Sequence, residues 1–132
     1  MKNIINVIIS ITCTIINYAF GGWDVSIQLL TLIVLLDYAT GVLKAVYYRQ
    51  LNSEIGFKGI IKKIGYFVLV AVAVITDKIT GNTGTIRTLV IYFFVANESL
   101  SILENWGTIG LPIPKKLRNI LEQLKSGKDN IK

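Results

Sequence analysis

The stretch LDYATGVLKAVYYRQLNSEIGFKGIIKK, Leu36–Lys63, decides how this sequence folds. It begins inside an apolar run long enough to cross a membrane, yet Asp37 and Lys44 lie within that run. Ionisable side chains inside a membrane span cost roughly 2.5–3.5 kcal/mol each on insertion scales, and they usually serve a function. The stretch then enters a basic segment with spaced glycines before another apolar run starts. This pattern predicts a chain that crosses a membrane more than once.

The composition supports a membrane protein. Of the 132 residues, 52% are hydrophobic and 17% are charged, whereas soluble domains have about 25% charged residues. Histidine is absent and Cys13 is the single cysteine, so the sequence predicts neither an internal disulfide nor a Cys/His metal site. No cofactor motif or nucleophile–base set is found, and we expect neither a cofactor nor an enzyme. The net charge of +6 indicates basic loops that touch anionic lipid rather than nucleic acid.

Four apolar runs predict an all-α, polytopic membrane protein of one domain. About 20 apolar residues cross the hydrocarbon core, and the predicted spans are residues 4–20, 25–48, 64–79 and 86–105. These spans form a transmembrane domain of residues 1–111. The first run could also be a secretory signal peptide, but its polar residues and its single basic residue, Lys2, favour a span.

The second and fourth spans each carry a polar stripe. At about 100° per residue, the stripe of the second span covers an arc of about 100° and that of the fourth about 120°. A polar stripe in lipid must face protein or water. The residues that we single out as a candidate pore or oligomer interface are Asp37, Gly41, Lys44, Asn97, Glu98, Ser101 and Glu104. The alternative is that Asp37 only holds the bundle together by pairing with a neighbouring cation.

The helical rise places the charges of the two stripes at defined depths. Asp37 and Glu98 each lie roughly 16–18 Å from the outer ends of their helices, at about 1.5 Å per residue. They therefore share a level near the middle of the bilayer, and Lys44 lies about 10 Å further in. We predict that Lys44 pairs with Glu104 or Glu98, within a subunit or across an oligomer. For Glu104, emergence at the membrane interface is the alternative.

Basic residues flank the spans on one side. A short interfacial helix is predicted before the third span, and a basic amphipathic helix and tail are predicted for residues 112–132 on the cytoplasmic side. With four spans and both termini in the cytoplasm, 12 of the 14 Lys and Arg residues lie inside, as the positive-inside rule expects. The cations that we assign to the membrane surface are Lys58, Lys62, Lys63, Lys115, Lys116 and Arg118.

Three segments carry a family resemblance. LLDYATGVLKA (35–45), NSEIGFKGIIKKIG (52–65) and NESLSILENWGTIGLPIPKKLRNILEQLK (97–125), together with Asp77, resemble the toxin-secretion and phage-lysis holin family of phages and prophages of Gram-positive bacteria. The resemblance covers about Leu36 to Lys125, and its most specific part is the NE-x-LSI-x-EN-x-G segment followed by P-x-P. The first apolar run carries no such signature.

The resemblance implies a protein of the bacterial host's cytoplasmic membrane that assembles with copies of itself and opens lesions. Its partners would then be the lipid bilayer, further copies of the chain and, indirectly, an endolysin that reaches the cell wall; in some relatives the cargo is a large toxin. An antiholin partner is left open. From the residues alone, a small non-lytic channel or a membrane anchor or accessory subunit is the alternative, and inducible expression would separate these functions.

Overall fold

The chain forms five helices in a computed structural model that describes residues 1–127. They are α1 (Lys2–Ala19), α2 (Val25–Tyr47), α3 (Ser53–Thr80), α4 (Thr85–Ile109) and α5 (Lys115–Ser126). The first four are long and apolar enough to cross a membrane. The all-α architecture with four candidate spans and a C-terminal helix is confirmed. The last five residues of the predicted tail lie outside the described range.

Helices α2, α3 and α4 form the packed bundle, with α3 antiparallel to the other two. The core residues recur at helical spacing on the facing side of each helix, so that apolar side chains interlock over two to three turns. They are Ile27, Leu30 and Val34 of α2, Tyr66 and Val70 of α3, and Ile91 and Phe94 of α4. At the inner end of this core the rings of Tyr66 and Phe94 stack with their centroids 4.3 Å apart.

Helix α3 is longer than the sequence predicts. The short interfacial helix and the third span are one continuous helix of 28 residues, about 42 Å long. Gly56 and Gly59 do not interrupt it, because a helical glycine costs only about 1 kcal/mol and no proline is present. Asn52 caps the start of the helix: its side chain accepts hydrogen bonds from the backbone N–H groups of Glu54 and Ile55. As a result, the basic residues around position 60 belong to the bundle's own helix rather than to a separate one.

The outer end of the bundle is fixed by two ionic side chains. The Asp77 carboxylate at the end of α3 accepts hydrogen bonds from the backbone N–H groups of Ile86 (3.0 Å) and Arg87 (2.8 Å). It thereby caps α4, whose own cap residue Gly84 has no side chain to do so. A carboxylate also suits the positive end of the helix dipole.

Arg87 joins α4 to the turn between α1 and α2. Its guanidinium donates to both Asp24 carboxylate oxygens, at 2.8 and 3.0 Å. The same group donates to the backbone carbonyls of Phe20 (2.6 Å) and Gly22 (3.1 Å). Gly21 has φ +72°, and a Cβ there would lie 3.0 Å from the Arg87 Nε. The outer clamp, which we define as Arg87, Asp24 and the carbonyls of Phe20 and Gly22, therefore needs glycine in this turn.

Candidate functional site

A network of charged and polar side chains fills the inner half of the bundle. Its centre is the Lys63 ammonium of α3, which donates to Asp37 Oδ2 of α2 at 2.5 Å and to Glu98 Oε2 of α4. We call Asp37, Lys63 and Glu98 the ionic triad. Glu98 is 2% exposed and Asp37 8% exposed. The triad joins all three bundle helices through one ammonium group.

Neutral side chains extend the triad toward the inner end of the bundle. Asn105 Nδ2 donates to Asp37 Oδ1 at 3.3 Å and to Thr40 Oγ1 at 3.0 Å. The Thr40 hydroxyl donates to the Asp37 carbonyl at 3.0 Å, and Asn97 Nδ2 lies 3.4 Å from Glu98 Oε1. Within residues 1–127, every buried side-chain nitrogen and oxygen has a hydrogen-bond partner, as burial in a bundle requires.

The triad has an unbalanced formal charge. Two carboxylates face one ammonium, which leaves −1 when both carboxyl groups are ionised. Taking charged groups out of water costs several kcal/mol per ion, and mutual attraction offsets that cost only while the geometry is kept. The triad is therefore most sensitive to the loss of its ammonium, which would leave two buried carboxylates without a cation.

A groove gives the triad a route to the inner end of the molecule. It lies between α2 and α3, has a volume of about 1180 Å³, and includes all three triad residues in its lining. Tyr38 and Gly56 are also among its lining residues. A Cβ on Gly56 would lie 3.3 Å from the Tyr38 hydroxyl, so a side chain at this position would crowd that hydroxyl where the two helices come together. The groove therefore connects the buried carboxylates to the surface of the molecule.

The structure brings together some predicted site residues and separates others. Asp37 and Glu98 share a level, since both bind the same ammonium. Gly41, Asn97 and Ser101 line the same groove. Thus the polar stripes of α2 and α4 face each other within one chain.

Within the subunit, the prediction that Lys44 pairs with Glu98 is wrong. Lys63, not Lys44, forms the ion pair with Glu98, because α3 places its basic residue between the two stripes. Lys44 instead lines the inner part of the groove. Glu104 is exposed and borders a second groove of about 620 Å³, shared with α5. A contact of Lys44 across an oligomer stays a prediction.

The prediction that Lys63 lies on the basic membrane surface is also wrong. The sequence assigns it to the surface cations, but its side chain is only 14% exposed and lies in the triad. The physical reason is the unbroken α3, which turns Lys63 onto the same face as Tyr66 and Val70. The other five cations of that set are exposed: Lys58, Lys62, Lys115, Lys116 and Arg118.

Sequence reasoning missed the outer clamp and the role of Lys63, although a signal for both is present. Lys63, Tyr66, Val70 and Asp77 recur at helical spacing, and so do Arg87, Ile91, Phe94 and Glu98. Such spacing places each set on one face of a helix.

Comparison with known families decides the assignment. The model of the bacteriophage holin family matches residues 14–126, which include the triad, the clamp and all of α5. The chain belongs to this family. The match begins within α1, so the holin family region reaches further toward the N-terminus than the resemblance at Leu36–Lys125. No solved structure matches the chain significantly.

Several relatives of this holin family member are of similar length. An uncharacterised 14.9 kDa protein in the nagH 3′ region of Clostridium perfringens is 43% identical over 132 residues, covering 97% of this chain and 100% of the relative. An uncharacterised protein of Listeria monocytogenes is 42% identical over 120 residues, covering 89% and 86%. An uncharacterised protein of Bacillus subtilis is 32% identical over 115 residues, covering 87% and 81%.

Proposed function

We propose that this chain acts as a holin that assembles with copies of itself in the bacterial cytoplasmic membrane and opens lesions there. An endolysin then passes through the lesions to the cell wall, and the host cell lyses. Both termini lie on the cytoplasmic side. Family membership supports the general role, and the ionic triad is the observation that carries the lesion-forming mechanism.

The triad supports the proposal because its side chains are stable both when buried in the bundle and when exposed to water. In the bundle, the Lys63 ammonium neutralises one of the two negative charges on Asp37 and Glu98, which lowers the cost of burying them. In an assembly whose polar faces line water, the same side chains are solvated and no longer penalised. Helices that lack such a network would expose apolar faces to water in this assembly, which is unfavourable. The chain thus has a closed form and a chemistry suited to a water-filled lesion.

The orientation follows from the distribution of cations. Exposed basic residues concentrate at the end of the bundle that holds the start of α3 and the whole of α5. At the opposite end, Arg87 is buried in the outer clamp and the Lys78 ammonium lies 3.5 Å from the centroid of the Tyr18 ring. Cytoplasmic loops carry an excess of Lys and Arg, which favours the α3 start and α5 inside.

Controlled expression in a bacterium tests the proposed function. The chain is expressed with and without a cytoplasmic endolysin that lacks an export signal, and membrane potential is followed with a voltage-sensitive dye. We expect an abrupt collapse of the potential, and lysis only when both proteins are present. Growth and potential that are unaffected, at a membrane level verified by immunoblot, would refute the proposal. A partial loss of potential without passage of the endolysin would favour a small non-lytic channel.

A further inference from the structure

Helix α1 stands apart from the bundle. Every residue from Lys2 to Tyr18 is exposed, and within the described chain the only helix that α1 packs against is α3. The contacts lie at its outer end, where the Phe20 and Phe67 ring centroids are 5.8 Å apart. The outer clamp holds the following turn, so α1 is attached at one end and presents its length outward.

The exposed surface of α1 has a polar face and an apolar face. At about 100° per residue, six side chains fall within an arc of about 100°. We call these the α1 polar face: Asn3, Asn6, Ser10, Cys13, Thr14 and Asn17. The face extends over roughly 21 Å at 1.5 Å per residue and contains no charge, while the opposite side is rich in isoleucine.

Part of the α1 polar face lacks hydrogen-bond partners. The Ser10 and Thr14 hydroxyls donate to backbone carbonyls one turn earlier, each at 2.8 Å, and the Asn17 carboxamide oxygen accepts from the Trp23 N–H. The carboxamides of Asn3 and Asn6 have no partner among residues 1–127. An amide without a partner costs several kcal/mol in hydrocarbon, so the part of this face that lies within the membrane favours a polar surface against it.

The rest of the chain does not supply that surface. The polar stripes of α2 and α4 are turned toward each other and are joined by the ionic triad. A carboxamide has both donors and acceptors, which makes an asparagine-rich face complementary to itself. Side chains of this kind join helices in membranes by hydrogen bonds between them. A second α1 therefore offers the missing partners in the same orientation and at the same depth.

We propose that the α1 polar face packs against the α1 polar face of a second copy and is the first contact in self-assembly. The inference rests on the proposed function, since a holin assembles within the membrane. It adds which surface of the chain meets its copy. The interface leaves the bundle of α2, α3 and α4 intact, so dimers form without breaking the ionic triad.

Cysteine cross-linking tests this interface. In a Cys13→Ser background, a cysteine is placed at Ser10 on the polar face or at Ile8, about 160° around the helix and about 3 Å away in depth. Membranes are treated with a copper–phenanthroline oxidant, and dimers are quantified on non-reducing gels. We expect the Ser10→Cys protein to form disulfide dimers at least fivefold faster than the Ile8→Cys protein. Equal rates, or faster dimerisation through Ile8→Cys, would overturn the proposal.

Three further measurements keep the outcomes distinct. In the native chain, where Cys13 lies exposed on the edge of the polar face, the double change Asn3→Leu and Asn6→Leu should reduce cross-linking through Cys13 several-fold; unchanged cross-linking argues against the interface. If the Ser10→Cys thiol reacts with a membrane-impermeant maleimide but does not dimerise, α1 faces water and the interface is refuted. Membrane potential is recorded for the native chain in parallel. If the potential collapses but no dimers form through the α1 polar face, only the proposed interface is refuted. If these dimers form but the potential does not collapse, only the lytic function is refuted.

Discussion

Replacing Lys63 by methionine should destabilise the closed bundle more than any other single change to a basic residue of its inner half. The substitution keeps an unbranched side chain of similar length but removes the ammonium that binds Asp37 at 2.5 Å and also binds Glu98. Two buried carboxylates are then left without their cation. Breaking a buried ion pair by removing one partner costs about 3–5 kcal/mol. Taking about 3 kcal/mol, the equilibrium between open and closed bundle shifts roughly a hundredfold.

The chain itself provides the control for this experiment. Lys62 precedes Lys63 on α3, is exposed and makes no ion pair within residues 1–127. Lys62→Met should therefore change the free energy of unfolding by less than about 0.5 kcal/mol. Adding Asp37→Asn and Glu98→Gln to Lys63→Met should recover most of the lost stability, because neutral amides do not need a cation.

Denaturant titration of the detergent-solubilised protein, followed by helical circular dichroism, measures these differences. Expression experiments then compare the time at which membrane potential collapses, and the Lys63→Met chain should act earlier because its closed form is weaker. Two results would contradict the reasoning about the triad. One is equal unfolding midpoints for Lys63→Met and Lys62→Met; the other is no recovery in the triple variant.

Three further predictions concern the triad's charge and the outer clamp. Asp37→Asn balances the formal charge of the triad and should delay the collapse of membrane potential without reducing the amount in the membrane; unchanged timing would make Asp37 a packing residue only. The hydrogen bond from Arg87 lowers the pKa of Asp24 below its ordinary value of 3.8, so the clamp stabilises the fold above that value and loses its contribution as the pH falls through the lowered pKa. The stability difference between the native chain and Asp24→Asn should accordingly be present at neutral pH and disappear in acid, and a difference that persists below that pKa would show another cause. Gly21→Ala should lower the free energy of unfolding by more than about 1 kcal/mol, because the φ of Gly21 is +72° and the added Cβ meets Arg87. The control is Gly65→Ala: this position lies in open space within α3, so the change should be neutral or stabilising by up to about 1 kcal/mol. Thermal unfolding distinguishes the two variants.

The sequence predicts the helices well because apolar length is a local property. The second span is predicted at 25–48 and the helix is Val25–Tyr47; the fourth is predicted at 86–105 and the helix is Thr85–Ile109. The error at α3 has a local cause as well. Charged residues at 58–63 resemble a loop, but no residue there prevents the helix from continuing, and the Lys58–Glu54 ion pair at 2.9 Å supports its first turns.

The polar network was predictable only in part. Stripe geometry places Asp37 and Glu98 at one depth without any knowledge of packing, and in the structure both carboxylates bind the same ammonium. Which cation lies between them depends on how α3 is rotated against α2 and α4, and this is a property of the packed core. Tyr66 and Val70 fix that rotation by filling the core, which leaves Lys63 rather than Lys44 beside the carboxylates.

The two ends of the bundle differ in what holds them, and this difference bears on how a holin could open. At the outer end, Arg87 and Asp77 bind backbone groups of the adjoining turns. These backbone groups are held in place by the turns that connect the helices. At the inner end the helices are joined mainly by side chains around a groove of about 1180 Å³. A hydrogen bond between two side chains can be replaced by one to water or to the same group of another copy. A bond to a carbonyl of the chain's own turn is not exchanged in this way. Rearrangement should therefore start at the triad, with the outer clamp as the fixed end about which the helices separate.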